Sequence, residues 1–311
     1  MSETSTSPQS ALGREISAVG LNIRVADDLY SRRTYSKDLW PRNLIVAREE
    51  PLPEPSIDAV VWPQDTKAVS DFVRLATSKG WEIFPYGAGS GVCGGATPVG
   101  NASGRKPRIV MDLKAMDAIE SIDPISQVVK VQAGVMGQVL EEQLNAKGFT
   151  MGHFPSSIYC SSFGGFLATR AAGQLSTHYG KIEDIVIAIE GVLPNGEIFT
   201  TPRAPRMAVG PDWNHVFLGS EGTLAVLTAA WVKVHKLAES RRFLSYQVSS
   251  TAEALDGVRS WMQAGLRPAV VRIYDEDESR MLMGIKDGVK LICIVEGESE
   301  LTDFTADAIA K

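Results

Sequence analysis

Residues 85–100 read PYGAGSGVCGGATPVG, with glycines at 87, 89, 91, 94, 95 and 100 and prolines at 85 and 98, so the stretch is neither a helix nor a regular strand. It is a loop. Lacking Cβ atoms, its glycines can take positive φ and turn successive backbone N–H groups toward one point, which makes an anion cradle. Gly89, Gly91 and Gly94 spell G-x-G-x-x-G, and Asp112 lies near the distance at which the nicotinamide-nucleotide motif places a ribose carboxylate. That motif needs a crossover helix, for which Pro98, Gly100, Gly104 and Pro107 leave no room, so NAD is set aside. The lysine of a GxxxxGK[ST] loop is also missing, and nothing points to ATP or GTP. Two readings stand on this stretch alone: a backbone cradle for a pyrophosphate between strands, or a glycine-rich surface loop without a ligand.

The whole chain narrows the choice of partner. Its 311 residues suffice for two modest domains or one large unit, and 44% hydrophobic residues is ordinary for a protein that buries a core. A formal charge of −6 without a dense Lys/Arg cluster argues against nucleic acid or an anionic membrane surface. Cys93, Cys160 and Cys293 leave one thiol over in any disulfide scheme, which suits a reducing compartment, and the four histidines lack metal-ligand spacing. The polar start MSETSTSPQS has no apolar core, and no run reaches the length of a membrane span; the expectation is a cytoplasmic protein with no transmembrane segment, no nucleic-acid partner and no metal.

Along the chain, residues 1 to about 20 read as a flexible lead, with Arg14 to Leu29 able to form a helix on contact. Pro51, Pro53 and Pro55 enforce an extended connector. Beyond it come a strand at Ala59 to Trp62, a helix opened by Asp65 or Thr66 and stopped by Gly80, and a strand at Trp81 to Pro85 that delivers the chain into the glycine loop. Ile109 to Leu113, Ile119 to Ile122 and Val128 to Gln132 read as short strands, and Val135 to Lys147 as a helix. In GHFPSSIYCSSFGGFLATRAAG, hydroxyl side chains from Ser156 to Ser162 precede Gly164 and Gly165, which open a small-residue helix. That is either a ligand-facing helix start or a capped helix packed through small residues. Asp184 to Leu193 and Glu197 to Thr201 read as strands joined by Pro194-Asn195-Gly196, with positive φ acceptable at both Asn195 and Gly196. Gly219 to Thr223 is a second tight loop, with Glu221 either part of a site or an ordinary turn carboxylate. From Ser240 a fresh unit alternates strands and helices, its first helix opened by the capping box Ser250 to Glu253.

Six motifs in this order carry a resemblance: P-x-G-x-G-S at Pro85 to Ser90, GHxPxS at Gly152 to Ser157, GGxxxTRA at Gly164 to Ala171, YGxIEDxV at Tyr179 to Val186, PRM at Pro205 to Met207 and GPDxxxxFxxGSEGTL at Gly210 to Leu224. Together they resemble the PCMH-type FAD-binding domain of the vanillyl-alcohol oxidase and p-cresol methylhydroxylase family. The alkyldihydroxyacetone-phosphate synthase branch is the most similar, and the D-lactate and glycolate dehydrogenases come next. The resemblance runs from about Ile57 to Leu282 and includes PAVVRIYD at Pro268 to Asp275.

The resemblance implies an α+β fold: a lead and linker over 1–56, a two-lobed FAD-binding domain over 57–238, and over 239–311 the beginning of an α/β substrate (cap) domain. It implies a flavoenzyme with noncovalent FAD, since no histidine stands in the first glycine loop to tether the flavin. The pyrophosphate falls to Pro85, Gly87, Ala88, Gly89, Ser90 and Gly91, with Ala88 where a glycine is usual. Pro155, Ser157, Ser161, Ser162, Gly164, Gly165, Thr169, Arg170 and Ala171 would line the rest of the cofactor, with Glu221, Gly222, Thr223 and Leu224 on its adenosine side and Ile185 against adenine. Arg272 resembles the family arginine that faces the flavin pocket and would hold an anionic small-molecule substrate, a 2-hydroxy acid or a phosphorylated ketone. In this family the groups that move protons lie further along the chain than Lys311. The alternative is a catalytically incomplete flavin-binding module needing a partner subunit or a homodimer.

Overall fold

The computed structural model describes residues 9–48, 54–98 and 106–311, which fall into two compact units. The first takes Met1–Glu142, Ser157–Ala171 and Val186–Lys233; the second takes Gln143–Ser156, Ala172–Ile185 and Val234–Lys311. Prolines 51 and 53, Gly100 and Gly104 lie outside the described residues.

The first unit holds two four-stranded sheets. One runs Ile23–Ala26, Ala59–Pro63, Arg108–Asp112, Glu82–Tyr86; its outermost strand Ile23–Ala26 is antiparallel and the other three are parallel. The Ala59–Pro63 strand is buried at every position, as a strand covered on both faces must be. The other sheet is antiparallel and runs Val128–Gln132, Val226–Lys233, Val186–Val192, Ile198–Thr200. The helix Thr66–Lys79 joins them. Val69, Phe72, Val73 and Ala76 share one core with Ala59, Val61, Ile109 and Met111 of the first sheet and Val192 and Val226 of the second. Truncating the fully buried Phe72 to alanine would cost about 3–5 kcal/mol. Asp65 caps this helix, accepting from the Ala68 N–H at 2.7 Å, and Gly80 ends it at φ +68.

The fold is mixed helix and strand, as expected, and several local readings need correction. Arg14 to Leu29 is not one helix: Ala11–Ala18 is helical and Ile23–Ala26 is a strand, its alternating apolar residues being drawn into the sheet by Ala59–Pro63. Ile119 to Ile122 makes only an isolated bridge, Ile119 with Val131. Asp184 and Ile185 belong to a helical turn, Ile182–Ile185, that precedes the strand Val186–Val192. In the turn at 194–196 only Gly196 takes positive φ, at +81. Asn195 instead accepts the Glu197 N–H on its own Oδ1 at 2.9 Å, a side-chain turn that makes the left-handed conformation unnecessary.

The second unit is built on an antiparallel sheet, Ser240–Val248, Val289–Gly297, Val270–Tyr274. Leu244, Tyr246, Val271, Cys293 and Val295 pack with Trp261 of the helix Thr251–Gln263 and Ala306 and Ile309 of the helix Ser299–Ile309. The capping box is half formed. Ser250 accepts from the Glu253 N–H at 3.2 Å, whereas the Glu253 carboxylate reaches the N–H and hydroxyl of Ser249 rather than Ser250.

One half-buried carboxylate ties the helix Thr66–Lys79 to the second sheet. Glu190 accepts from Thr66 Oγ1 at 2.7 Å and from Lys130 Nζ at 3.0 Å. Burial alone would raise this carboxyl, but those bonds and the lysine charge outweigh it and hold it below the usual range. A depressed folded-state value contributes stability above the unfolded pKa of about 4.3, and that contribution disappears as pH falls through the folded value. Glu190→Gln should therefore lower the urea midpoint at pH 7, and its deficit against wild type should shrink below pH ~4; an unchanging gap would contradict the linkage.

Candidate functional site

The three parallel strands of the first sheet end side by side, Tyr86 paired with Asp112, and the glycine loop leaves from Tyr86. A loop at the carboxyl ends of parallel strands is where an α/β unit presents a ligand site. Each glycine has a separate reason. Gly89 takes φ +66, and a Cβ there would overlap the Tyr86 hydroxyl. Gly87 has ordinary φ, but a Cβ would overlap Ser162 Oγ. At Gly91 the nearest atom would be Asp38 Oδ2 at 3.9 Å, so neither strain nor crowding demands glycine. The only described non-glycine residues at positive φ are Gln127, Arg170 and Glu221, so Ala88 sits without strain in place of the usual glycine.

The segment that opens the GGxxxTRA motif meets the glycine loop directly. Ser90 Oγ and Ser161 Oγ are 2.7 Å apart, and the almost fully buried Ser162 caps the helix Phe163–Thr169 by accepting from the Gly165 N–H at 3.3 Å. The paired glycines divide the labour. A Cβ on Gly164 would lie 2.8 Å from Ala133 Cβ, so that glycine serves close packing, whereas one on Gly165 would meet nothing nearer than Ser162 Oγ at 3.4 Å. The face at Gly165 is open beside Gly87. Thr169 bonds back to the Gly165 carbonyl at 2.9 Å. Arg170 ends the helix in the left-handed conformation, and its guanidinium donates to the carbonyls of Leu218 (3.0 Å) and His215 (2.6 Å). Ala171 donates to the Phe166 carbonyl at 3.0 Å.

The GSEGTL segment, Gly219 to Leu224, docks on that helix end. Gly219 donates to Leu167 O at 3.0 Å and Glu221 to Ala168 O at 3.1 Å. A Cβ on Gly222 (φ +78) would lie 2.9 Å from Pro85 Cγ, and the Glu221 carboxylate occupies the place of a Cβ on Gly95. Thr223 bonds back to Ser220, and Leu224 is exposed. The structure thus brings Pro85, Gly87 to Gly91, Ser161, Ser162, Gly164, Gly165, Thr169 to Ala171 and Glu221 to Leu224 together in one unit; Ser157 belongs to that unit as well.

Pro155, Ile185 and Arg272 belong to the second unit. Pro155 is buried, and the backbone around it stands where a Cβ on Gly173 would be. Ile185 is 1% exposed, so its side chain is already covered by the chain. Arg272 is exposed on the strand Val270–Tyr274, its guanidinium carbon 4.6 Å from the Tyr274 ring centroid.

Sequence reasoning missed the groups that hold the loop from behind. Asp112 is 0% exposed, and its Oδ2 accepts from Tyr35 Oη at 2.6 Å and Trp62 Nε1 at 2.8 Å and pairs with Lys114 Nζ at 2.7 Å. Lys114 Nζ also donates to the Gly87 carbonyl at 2.7 Å. The carboxylate once weighed as a ribose ligand is an internal anchor. Burial together with the Asp112 and Asp38 charges pushes the Tyr86 phenol up to about 12, keeping it a donor to Lys37 O at 3.0 Å. Buried Asp38 completes the clamp, accepting from Trp40 N at 3.0 Å, Asn43 Nδ2 at 2.9 Å and Thr97 Oγ1 at 2.9 Å, while Leu39 N donates to Gly89 O at 3.1 Å. Carbonyls of Gly87 and Gly89 are thus engaged from behind. The available signals were an apolar run ending in aspartate, IVMD, with lysine two residues on.

A glycine loop, a hydroxyl pair and a small-residue helix start together form the candidate nucleotide site of this unit. Residues 57–202 match the family described as FAD binding domain. Alkyldihydroxyacetonephosphate synthase of Caenorhabditis elegans is 36% identical over 230 residues, 74% of this chain and 38% of that protein. The uncharacterized FAD-linked oxidoreductase YgcU of Escherichia coli (strain K12) is 35% identical over 263 residues, 84% of this chain and 53% of its own length. A solved structure of alkyldihydroxyacetonephosphate synthase superposes with a TM-score of 0.85 at 27% identity, covering 99% of this chain and 60% of that one. Residues 57–202 are thus an FAD binding domain, and FAD is the chain's cofactor. It spans between 38% and 53% of the length of these two curated relatives. Among the described residues no helix is long and apolar enough to cross a membrane.

The differing roles of the glycines set an order of sensitivity. Gly89→Val should abolish FAD retention, because valine is strained at this φ and overlaps Tyr86, whereas Ser90→Ala should weaken it about tenfold or less by removing one hydroxyl. Flavin absorbance after gel filtration measures both, and equal retention would refute the cradle. Lys114→Met should also lower FAD occupancy, by freeing the Gly87 carbonyl and leaving Asp112 without its counter-ion; full occupancy with unchanged thermal stability would show that this strut is dispensable.

Proposed function

We propose that this chain acts as an FAD-dependent enzyme of the alkyldihydroxyacetonephosphate synthase type, on a substrate that is a phosphorylated ketone. The proposed FAD-binding domain spans 57–238 and the proposed substrate domain begins at 239. FAD, held without a covalent bond, supplies the redox or adduct chemistry when bound. The chain's own groups do the holding. Backbone N–H groups of Gly87 to Gly91 would take the pyrophosphate, Ser90, Ser161 and the open face at Gly165 would bound the cofactor, and Glu221 to Leu224 would close on its adenosine side.

The observation that carries the substrate class is Arg272. Its guanidinium is exposed and steadied over the Tyr274 ring, on a strand whose neighbours Val271 and Ile273 turn to the opposite face. A planar fork held in this way suits an oxyanion, and a phosphate offers it two parallel bonds. The similarity to alkyldihydroxyacetonephosphate synthases supports the phosphorylated ketone over a 2-hydroxy acid, and does not favour the incomplete-module alternative.

Acyl-dihydroxyacetone phosphate, D-lactate and glycolate should be offered in turn to the FAD-loaded protein, following alkyl-group exchange for the ketone and anaerobic flavin bleaching for the acids. Turnover with the ketone is expected, with KM raised at least tenfold in Arg272→Ala and partly restored in Arg272→Lys. Preference for an acid, or an Arg272→Ala enzyme with unchanged KM, would overturn the reading. Acid precipitation should leave the flavin in the supernatant.

A further inference from the structure

The first unit contains a second concavity that the flavin cradle does not use. It has a volume of about 310 Å³, and its wall includes Arg33, Lys37, Trp40, Arg42, Glu54 and Ser56 but none of Gly87 to Gly91. Among its lining residues three cations stand against the one carboxylate of Glu54, and the buried Asp38 carboxylate lies directly behind Trp40, Asn43 and Thr97. None of the three cations forms an ion pair among the described residues, and the Arg42 guanidinium carbon lies 5.3 Å from the Trp40 ring centroid. Behind this wall, Arg33 Nε and Ser56 Oγ are enclosed without a hydrogen-bond partner. Buried polar groups normally find partners, and an arginine Nε–H can only donate.

We propose that this concavity is a binding site for a small phosphomonoester, its dianionic group held by Arg33, Lys37 and Arg42 and its carbon body lying along Trp40. The phosphate matches the site in two respects. Its negative charge suits a wall on which cations outnumber carboxylates, and its oxygens offer a guanidinium two parallel bonds. The volume sits at the lower end of ligand pockets, which limits the occupant to a small molecule. The site also adjoins the clamp beneath the flavin loop, because Trp40, Asn43 and Thr97 line it and the same residues bond to Asp38.

The test is calorimetric titration of the full chain, saturated with FAD, with phenyl phosphate, inorganic phosphate and benzoate. Phenyl phosphate should bind saturably with one-to-one stoichiometry, at least tenfold more tightly than either of the others. Lys37→Gln and Arg42→Gln, both at exposed positions, should each weaken it at least fivefold while leaving flavin absorbance unchanged, and Arg272→Ala should have no effect. No saturable binding, equal affinity for benzoate, indifference to the Lys37 and Arg42 variants, or loss of binding in Arg272→Ala would each overturn the proposal. Flavin occupancy is read separately by absorbance, so failure of the cofactor assignment would be recognised independently.

Discussion

The carboxylate of Asp112 is the fixed point behind the glycine loop. It is a charge with no access to water, and such a group persists only if its lone pairs are filled and a counter-ion lies close. A phenol, an indole and an ammonium group meet that demand, and each brings its own segment with it: the helix that ends at Tyr35, the central strand through Trp62, and the turn after the strand Arg108–Asp112. Because the ammonium group is shared with the Gly87 carbonyl, neutralising a buried charge and fixing the start of the glycine loop are one event. The glycine stretch is locally the most permissive part of the chain. It holds one shape because the carbonyls of Gly87 and Gly89 are bonded from behind.

The glycines around the site answer to different pressures, and their spacing as a motif hides this. One is required by backbone conformation, one by the nearness of a serine hydroxyl, one by packing against Ala133, and two, Gly91 and Gly165, leave space unfilled. Only the last kind points directly at a ligand. The serine beside Gly87 has two duties as well, since capping a helix and limiting the size of residue 87 are done by the same oxygen.

Much of this was legible in the sequence. Helix Thr66–Lys79 announced itself through its cap, its apolar period and its glycine stop, all of which are local signals. The three motifs of the cradle could be read because close approach and tight turns restrict residue type severely. Ile23–Ala26 was missed because a four-residue strand at a sheet edge owes its conformation to its neighbour and carries almost no pattern of its own. The buried network of Asp38, Asp112 and Lys114 was missed for another reason: aspartates in loops are usually solvated, and only the third dimension shows which ones are enclosed. Arg170 stands in a family motif, yet its guanidinium is occupied by main-chain carbonyls, a distinction that residue type alone does not carry.

Glu221 keeps a left-handed backbone, φ 49, although it is a residue with a full side chain, directly before a glycine in the same region of φ. Such a conformation costs about 1 kcal/mol that glycine would avoid. A search for thermostable variants that scored melting temperature alone would be drawn to Glu221→Gly as an apparent improvement. It would thereby discard the one carboxylate that the loop holds against Gly95. Optimising the scaffold and preserving the site pull in opposite directions at this residue, and heat resistance by itself is a poor guide to which side chain belongs there.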